Sequence, residues 1–405
     1  MLYKGQVNGD AIELTARSPA GGGEEQFRAK RRDPNASPGL VFGEPCAGRG
    51  ACVAEGERSQ ADICAAGVLL RRPEAARGAT EGRARGRHGR GHSRIAGVST
   101  AQVSDAVWWQ TEDVRDMLRW MRQYNQDPAH TRKLKFYGFD MQAPGLAESN
   151  VLKYLQHVDT ESREAAAQAF SVLGRSPENP AYETASVETR RRTAEHLSAI
   201  LRRFDERKQD YIRRSSQHEW AMARQNMVIV KQTEVKNEFG RAFRDRAMAE
   251  NVKWILDQEP PGAKMMLWAH SGHVAADGAT QPPMGAHLRR IFGEEAALYG
   301  FVFHRGSFRA VDMASRVPTS FSVGPAPRGS LDATLAAIGV PLFAVDLRNL
   351  PEGQVAAWFD APHRSRQIGA GYSEQSPGIW LHRVRAARAF DFLIFIEETT
   401  PTRPL

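Results

Sequence analysis

The chain has 405 residues, enough for a large core, and ordinary globular proportions, with 41% hydrophobic and 25% charged residues. No stretch approaches the roughly 18–20 apolar residues a membrane span needs, and the start MLYKGQVNGDAIEL lacks the apolar run of a secretory signal, so a cytoplasmic protein with no membrane partner is expected. The three cysteines, Cys46, Cys52 and Cys64, are odd in number and lack zinc-finger spacing, which argues against a disulfide framework or a structural metal.

The excess charge of +8 is mostly local: residues 71–94 carry eight arginines against Glu74 and Glu81, a net of +6. From 51 to 100 there is no Phe, Tyr, Trp, Met, Asn or Lys, and Arg, Ala and Gly dominate. Such a stretch offers few large side chains to offset an ordering cost of about 1–2 kcal/mol per residue. It reads either as a basic, poorly ordered segment or as GC-rich sequence out of frame. Nucleic-acid binding is not expected, because no aromatic residue is interleaved with the arginines for base stacking. Residues 1–106 are therefore set apart from an α/β domain at 107–405.

In TEDVRDMLRWMRQYN, Val114, Met117, Leu118 and Met121 recur at helical spacing behind Thr111 and two acids, predicting a helix. KLKFYGFDMQ, short and aromatic, is predicted to be a buried strand. Residues 147–256 alternate charged and apolar positions at helical period, broken at Pro177 and Pro180, and predict a long helical insertion. After the turn signal EPPGAK come strands at MMLWAH, YGFVFHRG, SFRAVDM, PLFAVDL and DFLIFIEE, with short helices at LDATLAAIG and GQVAAWFD. Apolar strands alternating with helices predict an α/β fold with a mixed, largely parallel sheet flanked by helices.

Several apolar runs end in polar residues: Asp140 and Gln142, His270 and His273, Asp346, then Glu397 and Glu398. Ligands in open α/β sheets bind outside the carboxyl ends of strands, so these side chains are candidates to converge on one pocket, with Asp140, Gln142 and Glu397 binding substrate. WAHSGH is the sharpest feature. Its two imidazoles, three residues apart beyond an apolar strand, suit proton transfer near neutral pH. HEXXH zinc spacing and a GxSxG nucleophile elbow are both absent there.

WAHSGH, MGAHLRRIFG, RDRAMAENVKWIL, GFDMQ and FLIFIEETTPTRPL together, over residues 108–405, resemble the erythromycin esterase family. The resemblance implies hydrolysis of a small-molecule ester, in the best-known members the macrolactone of macrolide antibiotics, which is antibiotic resistance chemistry. A histidine base would activate water, with no cofactor and no metal. It places His270 and His273 in the family's second histidine cluster and Arg246 facing the active site, where its cation would steady an oxyanion. Upstream, VFGEPCAGRG keeps Gly43, Glu44 and Gly48, so Glu44 is a further catalytic candidate, but Ala47 stands where the family has its principal histidine base. A later strand and its glutamate are not recognisable in 51–100. We read 46–106 as frame-shifted sequence and the chain as an impaired hydrolase. The competing reading is a haem- or metal-binding protein with His270 and His273 as ligands.

Overall fold

The structure, a computed structural model, describes residues 2–8, 11–17, 24–30, 66–71, 110–142, 144–173, 185–278 and 281–405. The chain forms two compact units: Met1–Lys135 with Pro261–Leu405, and Phe136–Pro260.

The first unit begins with β1 (Leu2–Asn8), β2 (Ala11–Arg17) and β3 (Glu24–Lys30), an antiparallel meander. Next comes β4 (Ala66–Arg71), and then α1 (Glu112–Gln126). As the sequence predicts, the Thr111 hydroxyl caps α1 by accepting from the Val114 N–H, and Val114 and Met121 are buried. The end of the chain holds the start of α1, with the Glu112 N–H donating to the Arg403 carbonyl at 2.8 Å.

The second unit is helical: α2 (Gly145–Val158), α3 (Thr160–Leu173), α4 (Val187–Glu206), α5 (Lys208–Arg214) and α6 (Gln217–Gln258). The apolar stripes of α2 to α6 meet in one core that includes Leu155, Phe170, Leu197, Phe204, Tyr211 and Met227. Asp159, buried between α2 and α3, ties that core together. Its carboxylate accepts from Tyr211 Oη at 2.7 Å, Arg207 Nη1 at 2.9 Å, Ser162 Oγ at 2.9 Å and Arg203 Nε at 3.0 Å. α6 breaks at Gly240, whose φ of 69° lies outside helical space.

The first unit resumes with β5 (Lys264–Ala269), α7 (Ser271–Val274), α8 (Met284–Phe292), β6 (Ala296–Asp312), β7 (Pro318–Val323), α9 (Leu331–Ala336) and β8 (Leu342–Asp346). It closes with α10 (Gln354–Asp360), β9 (His363–Arg366), β10 (Gly371–Tyr372), β11 (Leu381–Val384), α11 (Ala386–Ala389) and β12 (Phe392–Thr399). A seven-stranded mixed sheet runs β5-β4-β6-β12-β8, with β7 and β10 also on β6; β9 and β11 pair separately. β12 and β10 lie parallel to β6, and the other ladders among the described residues are antiparallel. The expected mixed α/β architecture is present, with less parallel pairing than the apolar runs imply.

Three sequence expectations need correction. KLKFYGFDMQ is not a strand: no strand among the described residues pairs with it, Phe136 is 44% exposed, and its backbone bonds to side chains instead. The Leu134 N–H donates to Asn125 Oδ1, the Phe139 carbonyl accepts from Asn251 Nδ2, and the Met141 carbonyl accepts from the Thr233 hydroxyl. YGFVFHRG and SFRAVDM are not two strands but one, the 17-residue β6. β6 passes through Gly306, with φ of 123°, where a Cβ would collide with the Thr399 backbone of β12. Third, the stretch 51–100, read as too poor in large side chains to fold, contributes β4, inserted between β5 and β6. The short run AGVLLR places Val68, Leu69 and Leu70 in succession, apolar enough for a six-residue strand. Among the described residues no helix is long and apolar enough to cross a membrane.

Candidate active site

β5 runs in the same direction as β6 and β12, being two antiparallel steps from β6, and the register through β4 sets Trp268 level with Tyr299 of β6 and Phe392 of β12. His270 follows β5 directly. It leaves the strand with φ −61° and ψ 143° and caps α7, its Nδ1 accepting from the Gly272 N–H at 3.0 Å. Its Nε2 lies 3.1 Å from the Ile368 carbonyl oxygen. A carbonyl can only accept and a backbone N–H can only donate, so these two bonds call for the tautomer with its proton on Nε2. His273, half-buried, stands one short turn on, its N–H donating to the His270 carbonyl at 2.8 Å. α8 packs tightly against this turn: a Cβ at Gly285 would overlap the Val274 carbonyl.

Near the end of β12, Glu397 and Glu398 meet Arg305 from the middle of β6, at 3.3 Å and 3.2 Å. Beside them His304 has a buried Nδ1 with no hydrogen-bond partner. Burial, then the cations Arg305 and Arg366, hold its imidazole below the ordinary histidine range, so it is neutral at neutral pH. Asp346 does not join this end. β8 runs antiparallel to β12, which sets Asp346 opposite Phe392 at the start of that strand, bound to Arg348 at 3.1 Å and Asn349 at 3.0 Å.

Asp140, Gln142 and Arg246 belong to the helical unit, whereas His270, His273 and Glu397 belong to the sheet unit. Asp140 forms a two-pronged pair with Arg244, at 2.6 and 3.1 Å, and Gln142 is exposed. Arg246 is 55% exposed, 3.7 Å from Glu250 and stacked over the Phe243 ring. Glu44 lies outside the described residues, as do Gly43, Ala47 and Gly48.

The sequence reading missed three titratable groups. His304 is hidden inside an apolar strand and becomes visible only through its place in the β6 and β12 register. Asp332 looks like an ordinary first-turn acid behind the Ser330 cap, yet it is fully buried, and burial pushes its carboxyl up to about 6. In the helical unit burial alone pushes Glu148 up to about 7, with one carboxyl oxygen unpartnered. Among the described residues no group of three or more His, Cys, Asp or Glu side chains could hold a metal ion.

Residues 76–399 match the family described as erythromycin esterase. The chain belongs to that family. The match begins inside the stretch 51–100 whose composition departs from the rest. A Bacillus subtilis (strain 168) protein, YbfO, which is named a hydrolase, is 24% identical over 174 residues, 41% of this chain and 36% of that relative, so the chain spans about a third of its length. A Bacillus cereus protein of known structure superimposes with a TM-score of 0.65 at 20% identity, covering 77% of this chain and 78% of its own. A succinoglycan biosynthesis protein gives 0.60 at 19%, covering 73% and 72%. A histidine-to-asparagine mutant of erythromycin esterase in its open conformation gives 0.50 at 13%, covering 70% and 73%. These likenesses establish the shared fold.

Proposed function

We propose that this chain is a carboxylic ester hydrolase in which His273 is the general base and His270 its positioning partner. The observation that carries the division of labour is the double engagement of His270: protonating Nδ1 would break the Gly272 cap, and releasing Nε2 would break the bond to Ile368. Such a ring is suited to holding a turn, not to cycling a proton. The same engagement disfavours the reading of His270 as a metal or haem ligand, since coordination through either nitrogen costs one of these bonds. His273 accepts the proton of a water whose oxygen attacks the ester carbonyl, and returns it to the departing alcohol as the tetrahedral intermediate collapses. The family's name supports an ester, and a macrolactone is the first substrate to try.

We further propose that the rate is low. The family resemblance places its principal histidine where Ala47 stands, and loss of a general base commonly costs about a hundredfold to ten-thousandfold. β4 and the family match from residue 76 count against a frame shift across the whole of 46–106, whereas Ala47 lies in the part upstream of both. The test is hydrolysis of a macrolide and of an aryl ester by the chain, His273→Ala and Ala47→His. Turnover that disappears in the first variant and rises in the second supports both proposals; soluble protein inactive in all three forms removes the hydrolase reading.

A further inference from the structure

A carboxyl group is seldom buried completely unless its contacts require it, and Asp332 at the start of α9 has no exposed surface. Its Oδ1 accepts from the hydroxyl of Ser365, itself fully buried, at 3.1 Å, and its Oδ2 accepts from the Arg366 N–H at 3.2 Å. Both partners close β9. The guanidinium of Arg366 is held as firmly, donating to the carbonyls of His304 at 2.6 Å, Gly324 at 2.8 Å and Pro325 at 3.0 Å. Only Gln367, whose N–H donates to the Trp380 carbonyl, separates this anchored pair from Ile368, whose carbonyl receives His270 Nε2. One intervening residue leaves little slack, because consecutive Cα atoms are fixed about 3.8 Å apart.

We infer that Asp332 is a positioning residue for the histidine pair: by fixing the end of β9 it sets the Ile368 carbonyl against His270 and so selects the ring's tautomer and the start of the turn that carries His273. The inference rests on the reading of His270 and His273 as the working site. The raised carboxyl pKa, caused by burial and opposed by the Ser365 and Arg366 donors, is the cost of placing an acid there.

The test reads the ring itself. Full-length protein with 15N-labelled histidine is compared as wild type, Asp332→Ala, Asp332→Asn and Ser365→Ala, with the His270 signal assigned by its loss in His270→Asn. The wild type is expected to show a neutral Nε2–H form with a slowly exchanging ring proton. In Asp332→Ala and Ser365→Ala that proton should exchange about fivefold to tenfold faster, the scale of one lost hydrogen bond, while Asp332→Asn, which keeps an acceptor, restores most of the protection. If Asp332→Ala does not fold, Ser365→Ala and Asp332→Asn decide. A folded variant lacking the Asp332 or Ser365 side-chain contact but with unchanged His270 signals overturns the inference. No turnover is measured, so absence of hydrolysis would count against the proposed function without touching this result.

Discussion

The Nε2–H of His270 and the carbonyl oxygen of Ile368 meet at 3.1 Å across 98 residues of sequence. Together with the Gly272 N–H on the opposite nitrogen, this contact engages both ring nitrogens of His270, on which the proposed division of labour with His273 rests. We predict that His270→Ala lowers stability by about 1–3 kcal/mol, combining a lost helix cap with the lost bond to the Ile368 carbonyl, whereas His273→Ala changes stability by under about 1 kcal/mol and removes hydrolysis. Denaturant unfolding beside an ester assay separates the two; equal stability losses would sink the distinction.

Asp159 should be the most sensitive polar position in the helical unit. Burial opposes its ionisation, but the donors Tyr211, Ser162 and Arg203 outweigh it and hold the carboxyl well below the usual range. A depressed carboxyl contributes stability that is present above the unfolded value near 4 and lost as pH falls through the folded value. Asp159→Asn is therefore expected to destabilise the protein by about 2–3 kcal/mol at pH 7, with the deficit shrinking below pH 4, discounted because both arginines are 36% exposed. Circular dichroism at 222 nm during acid titration checks it, and a deficit that stays constant down to pH 2 would contradict the assignment.

Asp332 should show the reverse dependence. Its carboxyl is raised from 3.8 to about 6, so the folded state binds the proton more tightly than the unfolded chain. Its contribution is most favourable below pH 4 and declines as pH rises through 6, by roughly 3 kcal/mol in all. Relative to wild type, Asp332→Asn should gain by that order between pH 4 and 7.5. Unfolding midpoints at the two pH values measure the gap; a pH-independent gap would rule the assignment out.

Gly285→Ala should be costly although it adds one methyl group. The new Cβ would enter the space of the Val274 carbonyl, forcing α8 away from the histidine turn. A loss of about 1–3 kcal/mol is expected, with ester turnover falling alongside. Gly138→Ala, where a Cβ meets nothing within 4 Å, is the control. Similar thermal shifts in both variants would refute the close approach.

Much of the architecture follows from local pattern. Thr111 before a 3.6-residue stripe is enough to start α1, and runs such as MMLWA and FLIFI are enough to make β5 and β12, because helix capping and strand burial depend on neighbours within a few residues. The histidine pair was legible for the same reason: WAHSGH sits at a strand end that local pattern can find. FYGFDMQ misled because aromatic content reports burial propensity but not whether a partner strand exists, and its backbone is satisfied by Asn251 and Thr233 instead.

What the sequence by itself determined is the family, the mixed α/β class and the address of His270 and His273. Only the tertiary structure decided that His270 is engaged at both nitrogens, that Asp346 lies at the opposite end of β12 from Glu397, and that Asp332 is buried and bound to β9. Each of these depends on strand direction or on contacts between residues tens of positions apart. The energy of such contacts is set by geometry in space, and spacing along the chain carries no record of it.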